Sequence, residues 1–77
     1  MEEGTQPRRE RFRRLAEKRV VRTIREIRLV GNLFNRSNYD YDEADAVKIL
    51  KALENELRLL RKRYEAGGRP NQVDFRL

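Results

Sequence analysis

Apolar residues return along the first half of the chain at every third or fourth position. Phe12, Ala16, Val20, Ile24, Ile27, Gly31 and Phe34 are separated by steps of 4, 4, 4, 3, 4 and 3. That period keeps them on one face of a helix. Leu15, Val30 and Leu33 widen the face on one side and Val21 on the other. The pattern predicts a helix over about residues 8–34. Gly31 falls inside it, where glycine either lets another helix approach closely or ends the helix early.

A second run is more regular. Ala46, Leu50, Leu53, Leu57, Leu60 and Tyr64 step by 4, 3, 4, 3 and 4, the a/d spacing of a heptad seam. Val47 and Ile49 broaden its start. The run predicts a helix over about residues 42–66, and its ends carry matching signals. Asp42 suits the N-cap, with Asp45 three residues on in the reciprocal position of a capping box, although that motif prefers Glu or Gln there. Asp42, Glu43 and Asp45 favour the positive end of the helix dipole, and Arg58, Arg61, Lys62 and Arg63 the negative end. Gly67 and Gly68 supply a left-handed C-cap, and Pro70 bars continuation.

Residues 35–41, NRSNYDY, connect the two runs. Asn35 or Asn38 is expected to take the left-handed conformation that ends the first helix. Tyr41 precedes the Asp42 cap, where an apolar group packs back onto residue 46 as a staple. Two helices and a short connection predict an all-α, antiparallel two-helix hairpin. Residues 1–7, with Gly4 and Pro7, read as a disordered leader whose Pro7 fits the first helical turn. Residues 67–77 read as a flexible tail, in which Val73, Phe75 and Leu77 alternate with polar residues and offer a short extended arm to a partner.

Size then changes the picture. A chain of 77 residues is one domain, and a domain of that size removes only roughly 60% of its unfolded surface from water. Small domains usually add disulfides, a metal or a partner chain. The sequence has no Cys and no His, which excludes disulfides and leaves zinc without its usual ligands. Self-association remains, and a homodimer closing as a four-helix bundle is the simplest form of it. The alternative is a hairpin that folds only on a larger complex. No apolar run nears the roughly 20 residues that span a bilayer, and the polar start MEEGTQPRRERF lacks a secretory h-region. A cytoplasmic location with no membrane partner is the expectation.

Charge is unevenly placed. The formal net charge is +6. Residues 8–28 alone hold ten Arg or Lys against three Glu, a net +7, residues 37–57 are net −4, and residues 58–69 return to +4. With Ile27 set at zero and 100° per residue, the apolar stripe lies within about 60° of zero. Arg11, Arg14, Lys18, Arg22 and Arg25 fall between about 140° and 220° on the same scale. These five form a ridge opposite the stripe, spaced 3, 4, 4 and 3, while Glu10, Glu17 and Glu26 lie on the flanks. An ordinary solvated face mixes both signs on one line. A line of cations fits phosphates, and the Arg fork bonds their oxygens two at a time. Nucleic acid is the expected partner, with a solvated face and an acidic protein as the competing explanations.

The connector adds Arg36 and Tyr39 to the candidate contacts. Tyrosine faces stack on unpaired bases, and Arg and Asn reach base edges or phosphates. RNA is favoured over DNA, because the third helix of a helix-turn-helix or homeodomain reader is missing. DYDEAD at 40–45 places Asp40 and Asp42 like the first and third ligands of a calcium loop. That loop needs Gly sixth and Glu twelfth, where Asp45 and Lys51 stand, so capping explains the acids better than metal does. No nucleophile has a paired base, and no Gly-rich phosphate loop is present. Neither an enzyme nor a cofactor is expected.

Residues 12–57, FRRLAEKRVVRTIREIRLVGNLFNRSNYDYDEADAVKILKALENEL, carry a recurring pattern: Ile27-Arg28-Leu29, Gly31-Asn32, then Asn35-Arg36-Ser37-Asn38-Tyr39-x-Tyr41 before an acidic helix start. In this the chain resembles a group of short uncharacterised bacterial proteins. The resemblance implies a natural bacterial protein and, with no activity established for that group, carries over no site residues. The expectation is therefore a small basic helical protein that binds nucleic acid or a ribonucleoprotein through its Arg-rich helix. A protein-interaction module, such as a small regulator docking on a larger protein, is the alternative.

Overall fold

The computed structural model describes residues 6–68. Residues 1–5 of the expected leader and residues 69–77 of the expected tail, including the arm at Val73, Phe75 and Leu77, lie outside them. Among the described residues the chain is all-α, with two helices, α1 (Pro7–Asn32) and α2 (Glu43–Glu65), and no strand. It divides at Asp40–Tyr41 into two units, one built on each helix.

Helix α1 begins without a side-chain cap. Gln6 is extended, at φ −124° and ψ 92°, and its carbonyl accepts the Glu10 N–H at 2.9 Å. Pro7 occupies the first turn, where its missing N–H is no loss and its fixed φ already suits a helix. The far end is closed by tightening. The N–H groups of Leu33, Phe34 and Asn35 donate to the carbonyls of Val30, Gly31 and Asn32 at 3.0, 3.0 and 3.3 Å. These i→i−3 bonds satisfy carbonyls that a helix end otherwise leaves open.

The connector turns without any residue entering the left-handed region. Among the described residues only Gly67 and Gly68 have positive φ. Neither Asn35 nor Asn38 therefore takes the left-handed conformation expected from its residue type. Asn35 works through its side chain instead. Its Oδ1 accepts the Ser37 N–H at 3.0 Å, and its carbonyl accepts both the Asn38 and Tyr39 N–H groups at 3.0 Å. This is an Asx turn, in which the short amide replaces a backbone partner.

Helix α2 is stopped at both ends by local devices. Asp42 Oδ1 accepts the Asp45 N–H at 2.8 Å, and Asp45 Oδ2 accepts the Asp42 N–H at 3.1 Å. The capping box is complete with Asp in place of Glu. At the other end, Gly68 N–H donates to the Arg63 carbonyl at 2.7 Å and Gly67 N–H to the Tyr64 carbonyl at 3.0 Å. That pair of bonds is a Schellman motif. It requires left-handed residues, and Gly67 at φ +79° and Gly68 at φ +86° provide them without a Cβ penalty. Arg63 Nε donates to the Gly68 carbonyl at 3.0 Å, fastening the end again.

No described residue is buried. Leu15, Ala16, Val30 and Phe34 of the first unit and Tyr41, Ala46, Ile49 and Leu59 of the second are half-buried. The rest of both stripes is exposed, Ile27 at 49%, Leu57 at 66% and Tyr64 at 81%. Thr23 sits within the α1 stripe, and its hydroxyl donates to the Arg19 carbonyl at 2.8 Å. That bond satisfies the hydroxyl's donor inside its own helix.

Candidate nucleic-acid interface

The basic ridge is a product of helix geometry alone. Arg11, Arg14, Lys18, Arg22 and Arg25 all lie within α1 and all are exposed. Fourteen residue steps at 1.5 Å each give the ridge a length of roughly 21 Å, which matches several successive phosphates. Among the described residues no side-chain hydrogen bond or ion pair engages any of the five. Arg14, Lys18, Arg22 and Arg25 line one open concavity along α1 together with Glu17, Val21 and Glu26. Arg11 lies one turn nearer the N-terminus and does not line it. The ridge is thus a cationic line with two acidic markers beside it, an arrangement that can take an extended polyanion and offers no enclosed site for a small molecule.

Two features were not read from the sequence. Leu29 stands four residues beyond Arg25 on the ridge line and is 56% exposed. The signal was its spacing, but a single apolar residue opposite the main stripe does not stand out from hydropathy. Arg9 places its guanidinium carbon 5.6 Å from the centre of the Phe12 ring. The pair is an i, i+3 neighbour contact, and a cation over a ring face is attractive. Arg9 is consequently engaged on the apolar side and not with the ridge.

The connector residues separate by exposure. Tyr39 is 50% exposed, and Arg36 is exposed but has an interaction partner of its own. Both follow the C-terminal end of α1 within its unit. Tyr41 is half-buried, as is Ala46, the staple position in the same unit. Replacing Tyr41 by Ala should lower the stability of α2, by about 1 kcal/mol for a partly buried ring. Polyanion affinity should hardly change once folding is allowed for. Tyr39→Ala should show the reverse, with unchanged melting and a loss on the order of 1–3 kcal/mol in affinity for single-stranded RNA. Thermal melts and fluorescence titrations of the two variants check this, and a stability-neutral Tyr41→Ala rejects the staple.

Asp42 and Asp45 spend their carboxylates on the cap, which accounts for two of the four acids at 40–45. Among the described residues no grouping of His, Cys, Asp or Glu could hold a metal ion. None of their helices is long and apolar enough to cross a membrane. No protein-family profile matches the chain, nor does any curated protein or any solved structure.

Proposed function

We propose that this chain is a nucleic-acid-binding protein of the bacterial cytoplasm, RNA being favoured over DNA, and that α1 is its binding element. The observation that carries the reading is the unbroken line Arg11, Arg14, Lys18, Arg22 and Arg25, exposed along one side of α1 with no acid on the line. Five like charges in a row repel one another within the helix, and a polyanion relieves that repulsion. Arg36 and Tyr39 extend the contact beyond the end of α1 with a cation and a stacking face. The role is binding, free or within a ribonucleoprotein, with no chemistry and no cofactor. Two copies of the chain associate through their apolar stripes, the four helices closing as a bundle. This removes from water the stripes that each unit leaves exposed.

A second reading rests on those same stripes. Exposed leucines along α2 suit a module that docks on a larger protein, with the ridge meeting an acidic surface. Purification separates the two readings. The protein freed of its tag at low salt should carry nucleic acid, seen as a raised 260/280 nm absorbance ratio that falls after a high-salt wash or nuclease treatment. A preparation that is clean at low salt and binds no added RNA favours the docking module.

A further inference from the structure

We infer that the α2 seam is covered by α2 of a second copy of this chain, running antiparallel about a two-fold axis that crosses the seam between Leu53 and Leu57, at the level of Asn55 along the helix. The inference rests on the self-association part of the proposal and is independent of nucleic-acid binding. Three observations on α2 converge on it. The seam is the least interrupted apolar surface of the described residues. Ala46, Leu50, Leu53, Leu57, Leu60 and Tyr64 follow one another without a charged or polar residue on the line, whereas the α1 stripe includes Thr23 and Gly31. Leu50, Leu53, Leu57, Leu60 and Tyr64 are all exposed.

The second observation is size. The six positions are symmetric about Asn55, so antiparallel pairing sets Leu53 against Leu57 of the partner subunit and Leu50 against Leu60 of the partner subunit. It also sets Ala46, the smallest seam residue, against Tyr64 of the partner subunit, the largest. Small against large fills the layer at both ends. Parallel pairing in register sets Tyr64 against itself at one end and Ala46 against itself at the other, crowding one layer and leaving a gap in the other. A slide of one heptad leaves two seam residues of each copy uncovered, Ala46 and Leu50 in one direction or Leu60 and Tyr64 in the other.

Charge is the third. Residues 42–56 hold five acids and two lysines, net −3, and residues 57–65 hold four cations and one acid, net +3. Antiparallel helices place each acidic half beside a basic half and oppose their dipoles, while parallel helices stack like on like. The opposing effect is local. Glu54 and Glu56 flank the axis in both copies, and their repulsion is exposed to solvent and screened by salt. Arg58, one turn on from Glu54, offsets part of it.

The absence of cysteine from the sequence makes the test clean. Full-length Ala46→Cys and Tyr64→Cys variants are oxidised separately and as an equimolar mixture, in high salt after nuclease treatment. Wild-type sedimentation is measured alongside, and helicity confirms that each variant is folded. The mixture is expected to form a disulfide joining position 46 of one chain to position 64 of the other, identified by peptide mass, at least ten-fold faster than either variant alone. The Leu50→Cys and Leu60→Cys pair repeats the test nearer the axis, in case an end substitution disturbs the fold. Equal cross-linking in all three samples, self-linking of Ala46→Cys, or a dimer that links in none of them overturns the antiparallel register and leaves self-association standing. A folded wild-type monomer at tens of micromolar overturns both, without touching the nucleic-acid reading.

Discussion

Leu57→Asp should abolish self-association. Leu57 is 66% exposed and belongs to no core among the described residues, so a carboxylate there disturbs no packing among them. The substitution becomes costly only if a partner covers the seam. Taking an ion out of water costs several kcal/mol even after the protein relaxes, and a two-fold interface meets the substitution twice. A total of about 4 kcal/mol already raises a dissociation constant roughly 1000-fold. Leu53→Asp should act in the same direction. Asn55→Asp, on the opposite side of α2, should leave assembly intact, since that position lies off the seam and its amide oxygen already accepts from the Arg58 guanidinium. Sedimentation of the three variants against wild type decides the matter. A Leu57→Asp protein that associates like wild type would mean that the seam faces water in the working state.

The triple change Arg14→Gln, Arg22→Gln and Arg25→Gln should remove most nucleic-acid binding while sparing the fold. Gln has nearly the helix propensity of Arg, and none of the three arginines makes a side-chain hydrogen bond or ion pair among the described residues. Helicity and oligomeric state should therefore be unchanged. Binding that depends on phosphates releases counterions, so affinity falls as salt rises. Each lost contact should flatten the plot of log affinity against log salt by about one unit, three in all for this variant. Lys48→Gln with Lys51→Gln is the control, because residues 37–57 are net acidic. Titrations of a short structured RNA at several salt concentrations give both slopes. Unaltered affinity and slope in the triple variant would assign the ridge to solvent or to an acidic protein.

The parts of this structure that were legible in the sequence are those decided by a few neighbouring residues. Asp42 and Asp45 reach each other across one turn, and Gly67 and Gly68 need only their own backbone freedom, so the cap and the stop of α2 follow from residue type. The end of α1 was less legible. Its apolar period runs on to Phe34, while the helix ends at Asn32 and the next residues close with i→i−3 bonds. Period reports which side of the chain is apolar and does not report which carbonyl accepts. Asn35 shows the same limit: its type pointed to a turn, but a left-handed backbone and a side-chain Asx bond serve that turn equally well. The ridge was legible because α1 is regular over its whole length, whereas Arg36 and Tyr39 sit on a turn whose exposure no period encodes. What covers the stripes depends on surfaces beyond either unit, and spacing alone does not name them.

The closed ends of α2 also bear on the order of folding events. The capping-box and Schellman bonds of this helix link residues no more than five apart, so neither device waits for a distant part of the chain. A helix of this length relaxes on the order of 0.1–1 μs, and its two stops hold the seam positions in one frame from the first moment they exist. A slower refolding phase that comes from encounters between chains will have a rate that scales with protein concentration, which separates it from the concentration-independent isomerisation of the bonds before Pro7 and Pro70.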